Sequence, residues 1–268
     1  MPDARARTKS GVQSLLTQLD EIEAGPGGGV ITFDEGRLEV SNLRKLFWPT
    51  LKLTKGDLVR HYVRVAPFIL PVLEDRPLVM KRYPNGIAAA PFYQHRAPDK
   101  VPAGVRIERV NAGSEIRPHL IGGGLGTLLY TAQLGAISQD PWFSRVQTPG
   151  TIDHIAIDLD PPEGLPYRRV LDVARWVRDE LKARGRRIYV DYMQNALGKT
   201  LASAYSARAS EFTGVSTPLT WDEVDEGVSP RDFTVANFDQ RIKSAGDPWA
   251  TLRKSKGTKL SLRELRAV

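Results

Sequence analysis

Asp158 and Asp160 flank a single leucine at the end of an apolar run, Ile155-Ala156-Ile157. Successive side chains of a strand point to opposite faces. Ile155, Ile157 and Leu159 then share one face, and Asp158 and Asp160 share the other. Two carboxylates so placed repel each other unless a cation lies between them, and a hard divalent ion is their natural partner. A surface turn or strand end carrying two acids is the plainer explanation of the same pattern. A third aspartate, Asp191, stands in residues 187–192, where Ile188 and Val190 mark one face and Arg187, Tyr189 and Asp191 the other. A strand–helix–strand crossover normally returns a parallel strand to the same sheet, which would bring Asp191 to the pair. Three carboxylates holding two divalent ions can align a primer hydroxyl and a triphosphate for in-line displacement.

The elements that would carry these residues follow from periodicity and breakers. Residues 152–160 read as a strand ended by Pro161-Pro162-Glu163-Gly164. Residues 166–184 read as a helix with Pro166 in its first turn, an inner stripe of Val170, Ala174, Val177 and Leu181, and Gly185 as its stop. Upstream, residues 10–24 form an amphipathic pattern on Val12, Leu15, Leu16, Leu19 and Ile22, followed by the breaker Gly25-Pro26-Gly27-Gly28-Gly29. Residues 1–29 are therefore expected as an N-terminal arm that docks or frays, and residues 30–268 as the main domain. A hairpin is expected over 30–40 around Asp34-Glu35-Gly36, and strands over 77–83 and 91–95 around Pro84-Asn85-Gly86. Thr54 is a good N-cap for a helix from Lys55 with Leu58, Tyr62 and Val65 buried and with Pro67 and Pro71 shaping its end. The run Gly122-Gly123-Gly124 precedes a helical stretch, 125–134. It lacks the Lys-Ser/Thr of a phosphate loop and is expected as a flexible connection.

Composition narrows the chemistry. With no cysteine among 268 residues, disulfides, thiolate zinc sites and thiol nucleophiles are excluded together. A formal charge of +7 favours a polyanionic partner, nucleic acid above all, although a basic soluble enzyme would show the same balance. No apolar run approaches the roughly 20 residues of a membrane helix. The basic start (Arg5, Arg7, Lys9) is followed by no long apolar stretch, so a cytoplasmic, nucleoid-associated protein without membrane contact is expected.

Further motifs carry a resemblance. Asn42-Leu43-Arg44-Lys45-Leu46-Phe47-Trp48-Pro49 and Thr54-Lys55-Gly56-Asp57 resemble the opening of the polymerase domain of bacterial ligase D. So do Lys81-Arg82-Tyr83-Pro84-Asn85-Gly86, Phe92-Tyr93-Gln94 and Asp140-Pro141-Trp142-Phe143-Ser144-Arg145. Asp158-Leu159-Asp160-Pro161 is similar to that family's metal motif. Asp191-Tyr192-Met193-Gln194-Asn195, Tyr205-Ser206-Ala207-Arg208-Ala209 and Ser216-Thr217-Pro218-Leu219-Thr220-Trp221 are similar to its later motifs. The likeness runs from about Val40 to the C-terminus, with no sign of ligase or nuclease domains, and implies the stand-alone form.

What the resemblance implies is specific. The fold would be α+β, the primase-polymerase fold of the archaeo-eukaryotic primase superfamily, with a central mixed sheet and an RRM-like catalytic core flanked by helices. The function would be DNA-directed nucleotide transfer in nonhomologous end joining, using ribo- or deoxyribonucleoside triphosphates and two manganese (or magnesium) ions. Asp158, Asp160 and Asp191 would hold the metals. Asn42, Lys45 and Lys55 would bind a downstream 5′-phosphate, and Arg184, Gln194 and Arg208 would lie near the nucleotide. Partners would be double-stranded DNA ends and gaps, a Ku-like end-binding protein and a separate ATP-dependent ligase. Two of these assignments agree with residue chemistry. Lys55 in a first helical turn should meet free backbone N–H groups that favour an anion, and arginine can grip a triphosphate in bidentate fashion. As plain alternatives, Lys45 and Lys55 are solvated charges and Arg208 is a salt-bridge partner.

The sequence also departs from the family. There, the helix after the Asp-x-Asp pair leads to a Ser/Thr-rich, glycine-containing motif ending in His, which contacts the triphosphate, then to more strand and a second helix. Here Leu181-Lys182-Ala183-Arg184-Gly185-Arg186-Arg187 runs directly into Ile188, and no histidine follows His154. Several dozen residues are absent around 185–187, and His95 stands where a Lys or Gln is common. Two functions follow: a nucleotidyltransferase with impaired activity, or a noncatalytic module that binds 5′-phosphorylated ends.

Overall fold

The computed structural model of the chain describes residues 4–111, 113, 115–153, 156–184 and 197–250, with side chains from Ser10 on its first helix and up to Glu180 on its fourth. Alternation folds residues 29–40 into the expected hairpin, β1 (Gly29–Phe33) against β2 (Gly36–Val40), with Ile31 opposite Leu38 and both buried. Helix α1 (Ala4–Ala24) covers this hairpin. Leu15 and Leu19 enter the core, and Gln18 bonds the backbone of Thr32 in both directions, at 2.8 and 3.1 Å. Arg60 reaches back from the next helix to Asp20, at 2.9 Å, and to Glu23.

A short antiparallel pair, β3 (Leu46–Trp48) and β4 (Leu53–Thr54), leads into helix α2 (Lys55–Leu73). Thr54 caps it as expected: its hydroxyl accepts from the Asp57 amide at 3.2 Å, and Asp57 accepts from the Thr54 amide at 2.8 Å. Leu58, Tyr62 and Val65 are buried, and so are Val59, Val63, Ile69 and Leu73, because α2 lies between α1 and helix α3 (Leu125–Gln133). Pro67 and Pro71 were expected to shape the helix end, yet α2 runs through both. They lie four apart on the exposed side, where the carbonyls that lose an N–H partner can be solvated.

The sheet is built from β5 (Pro77–Arg82), β6 (Phe92–Gln94), β7 (Ile107–Asn111), β8 (Ile116–Ile121) and β9 (Asp140–Pro141), in the order β6-β5-β8-β7 with β9 also on β5. Every pairing among the described residues is antiparallel. Leu78, Met80 and Leu120 face the helices; Val79, Ile121, Val110 and Trp142 form a second cluster on the opposite face. The glycine run before α3 is no flexible connection. A Cβ on Gly122 would lie 2.6 Å from the Leu73 carbonyl, and Gly123, at φ +107°, would meet Glu74 at 2.9 Å. The glycines are there because α3 begins against the end of α2.

The later chain has less regular structure. Helix α4 (Tyr167–Arg184) forms as read, but Val170, Ala174 and Val177 are only half-buried and Trp176 is 71% exposed. The expected strand over 152–160 is corrected. Ile152 makes one isolated bridge with Ser144, and residues 156–160 are in no strand, with Ile157 exposed. Alternation assigns faces only when a neighbouring strand pairs the backbone, and among the described residues none pairs with 156–160. The second expected strand, 187–192, lies outside the described residues. Residues 197–250 carry α5 (Trp221–Glu226) and α6 (Phe238–Ala245) and close over α2. There, buried His61 meets the Tyr205 carbonyl at 3.0 Å. Burial pushes the His61 pKa down to about 4, so the ring is neutral at pH 7 and its Nε2–H donates. The fold is α+β, and no helix among the described residues is long and apolar enough to cross a membrane.

Candidate phosphate and nucleic-acid site

Asn42, Lys45 and Lys55 come together at the start of α2. Asn42 sits in the left-handed region, at φ +56°, which turns the loop back on itself. The loop is tied to α3 through Ser41: Gln133 donates to its hydroxyl at 2.9 Å and accepts from its amide at 3.2 Å. Lys55 Nζ donates to the Ser41 carbonyl at 2.9 Å, and Lys45 Nζ donates to Asn85 Oδ1 at 2.6 Å. Asn85 belongs to the β5–β6 turn. Gly86 in that turn, at φ +73°, passes so close to β3 that a Cβ would lie 2.7 Å from the Phe47 carbonyl.

The electrostatics are one-sided. Lys55 is 6% exposed, and its pKa is lowered to about 8, first by burial and then by the nearby charges of Lys45 and Arg82. Among the described residues no carboxylate pairs with Lys45 or Lys55. A buried cation without a counter-ion is costly and fits a site whose anion arrives with the ligand. One expectation is corrected: the first amides of α2 are not free. Lys55 N–H donates to the Lys45 carbonyl, Gly56 N–H to the Leu43 carbonyl, both at 2.8 Å, and Asp57 N–H to Thr54. The lysine side chains carry the positive potential, because the loop that delivers them occupies those amides.

What continues from this pocket along β5 is marked in the sequence only as resemblance motifs without a role. Lys81 and Arg82 are consecutive and leave opposite faces of the strand. Arg82 lies near Lys55 and sits over the Phe92 ring at 5.1 Å; Lys81 sits over the Tyr93 ring at 5.5 Å. Phe92 and Tyr93 are large aromatics left open on the edge strand β6, and Tyr93, 62% exposed, stacks on His95 with centroids 6.3 Å apart. Exposed rings interleaved with cations suit the flat faces of unpaired bases. On the far side of Lys81 lies Asp140, whose hydroxyl partner is Ser138 at 2.9 Å. Burial raises its pKa against the opposing pull of Arg208 and Lys81. The signal in the sequence was the motif around Lys81 and Arg82, but only the β5–β6–β9 pairing shows which faces these residues take.

Arg208 lines a cavity of about 300 Å³ with Tyr167, Ser210, Phe212, Ser216 and Phe233. It has no ion pair among the described residues. Asp158 and Asp160 are both exposed, and among the described residues neither has a cation or a hydrogen-bond donor. Two exposed carboxylates fit a hard divalent ion in charge and donor type. No group of three possible ligands occurs among the described residues. Asp191, Gln194 and the Arg184 side chain lie outside them, so the expected meeting of three aspartates lies outside what is described.

The geometry can be set beside known proteins. A sequence profile of the LigD primase-polymerase domain matches residues 54–185 and 180–249. The bifunctional non-homologous end joining protein LigD of Bacillus subtilis is 26% identical over 271 residues, covering 80% of this chain and 44% of the relative. The multifunctional LigD of Pseudomonas aeruginosa is 24% identical over 274 residues, covering 80% of this chain and 32% of the relative. The chain thus spans less than half the length of these relatives. The polymerase domain from Mycobacterium tuberculosis ligase D, solved in complex with DNA, matches with a TM-score of 0.71 at 24% identity, over 82% of this chain and 99% of that one. Both curated alignments are longer than this whole 268-residue chain although they take in 80% of it. The relatives therefore carry several dozen residues without counterpart here, and the two profile matches meet at residues 180–185, the end of α4.

Proposed function

This chain belongs to the LigD primase-polymerase domain family, and on that premise we propose that it processes DNA ends as a nucleotidyltransferase of nonhomologous end joining. It extends or fills 5′-phosphorylated ends and gaps with ribo- or deoxyribonucleotides, at reduced activity. The observation that carries this is the pair Lys45 and Lys55, held at the start of α2 with no carboxylate partner among the described residues. A terminal phosphate supplies the missing charge and can accept from both ammonium groups. The Phe92–Tyr93 edge would receive unpaired template bases, and Arg208 with Gln194 and Arg184 the nucleotide.

Asp158, Asp160 and Asp191 would hold manganese or magnesium, which supplies charge neutralisation for the nucleotide phosphates and a more acidic attacking hydroxyl. The protein's own part is positional. Arg208 can hold anionic oxygens from its cavity, and the lysine pocket fixes the downstream end. A Ku-like end-binding protein and a separate ATP-dependent ligase are the partners this function calls for. The absent residues at the end of α4 favour a second reading, a noncatalytic module that binds 5′-phosphorylated ends.

The phosphate contact is tested with gapped duplexes that differ only in the downstream phosphate. The phosphorylated gap should bind more tightly by roughly a hundredfold or more, the lower end of the scale of two hydrogen bonds to a charged group. Lys45→Ala with Lys55→Ala should erase that difference and reduce the salt slope by up to about two units. Equal binding of the two duplexes by the unaltered chain would overturn the assignment.

A further inference from the structure

Arg76 makes a set of contacts that nucleotide transfer by itself does not explain. It lies three residues past α2 and is only 4% exposed. Its Nε–H donates to the Val72 carbonyl at 3.0 Å. Its Nη1 donates to the carbonyls of Trp142 and Phe143 at 3.2 and 2.8 Å. Its Nη2 donates to both carboxylate oxygens of Asp153, at 2.5 and 2.7 Å. Asp153 also accepts from Arg145 Nε at 2.7 Å, and its amide donates to the Phe143 carbonyl at 3.4 Å. Arg145 in turn donates to the Glu74 carbonyl, and the Val146 amide to the Asp75 carbonyl, both at 2.8 Å. Residues 142–146 and 152–153 are thereby fastened to the corner where α2 passes into β5.

Asp153 is five residues before Asp158. Residues 156–160 have no ladder of their own among the described residues. Beyond the segment, the Leu165 amide donates to the Pro162 carbonyl at 3.1 Å and the Arg169 amide to the Pro166 carbonyl at 2.9 Å, where α4 begins. We propose that Arg76 and Asp153 are positioning residues for the Asp158–Asp160 pair: the clamp fixes the root of the segment that carries the metal carboxylates. This rests on the reading of that pair as metal ligands. An ion pair that served stability alone could be replaced by well-packed apolar groups. A guanidinium fork does something apolar groups cannot. It reads two carbonyls and the direction of a carboxylate at once, and so fixes where the chain leaves Asp153. Fixed supports of this kind govern how well ligands are held in place for an ion.

The test is manganese binding by the full chain, followed by the electron paramagnetic resonance signal of the free ion well below the melting temperature. The unaltered chain should bind manganese, and Asp158→Asn should abolish or strongly weaken that binding. Asp153→Ala and Arg76→Lys should each weaken it on the order of tenfold, the scale seen when an outer support of a metal site is lost. Both should leave the preference for a phosphorylated gap unchanged, because the lysine pocket lies at the other end of α2. Asp153→Asn, isosteric and still able to accept one bond, is measured where Asp153→Ala does not fold, and should fall between. If the clamp variants melt earlier but hold manganese as tightly as the unaltered chain, the clamp is structural and the proposal is wrong. If Asp158→Asn leaves manganese binding unchanged, the metal assignment fails, and the clamp's role fails with it.

Discussion

At the scale of single residues, the proposed phosphate contact of Lys55 predicts a pH window for recognition. Its pKa is about 8 in the folded chain against 10.5 for an ordinary lysine. The unfolded chain therefore holds the proton more tightly, and between about pH 8 and 10.5 stability should rise with pH as the buried charge is relieved. Phosphate binding runs the other way, because it needs the ammonium. A terminal phosphate gains its second charge near pH 6. The preference for a phosphorylated gap should thus be greatest from about pH 6 to 8 and should decline above pH 8. Lys55→Arg, which stays charged, should move that decline upward. Fluorescence anisotropy of the two duplexes across pH 5.5 to about 9.5 reads this directly; a flat difference through pH 8 would show that Lys55 does not carry the contact.

At the scale of elements, two substitutions separate scaffold from site. Leu19 on α1 is fully buried in the main cluster, so Leu19→Ala should cost about 2–5 kcal/mol in urea unfolding while leaving phosphate discrimination in place. Gly86 is the opposite case. In Gly86→Ala a methyl group would be driven to within 2.7 Å of the Phe47 carbonyl at a positive φ, at a cost of about 1–3 kcal/mol. The turn must then move away from β3 and take Asn85 off Lys45. Loss of discrimination larger than loss of stability is the expected signature. Discrimination unchanged in a destabilised Gly86→Ala would show that the Asn85 contact does not orient Lys45.

At the scale of the whole molecule, the proposed activity is limited by what is absent. The relatives carry several dozen residues that have no counterpart here, at the end of α4. Losing one donor to charge that develops in a transition state typically costs 10²–10³ in rate. A shift of about an ångström in the carboxylates adds to that. Primer extension with manganese on a phosphorylated gap should be slower than for a full-length relative by about three orders of magnitude. Inserting a relative's segment between Arg184 and Ile188 should restore it, and Asp158→Asn in the graft should remove it again. Rapid extension by the unaltered chain, lost in Asp158→Asn, would show the absent segment to be dispensable.

The sequence by itself determined the local structure and the family. The Thr54 cap, the 29–40 hairpin, the span of α4 and the grouping of Lys45 and Lys55 as one motif were legible because each rests on short-range patterns: a capping box, a period of two, a period of 3.6, an ordered motif. The tertiary structure decided whatever depends on a neighbour distant in sequence. Residues 156–160 have a strand's alternation but no strand beside them among the described residues, so the pattern alone misassigned them. Gly122 and Gly123 read as a loose joint, yet the end of α2 presses against them. The first amides of α2 read as free in the sequence, yet the carbonyls of Leu43 and Lys45 occupy them. Arg76 and Asp153, 77 positions apart, carry no joint signal in one sequence and meet only because the turn after α2 and residues 142–153 pack together. Periodicity reports which side of an element is apolar; it does not report what lies against it, and that decides burial, free donors and charge.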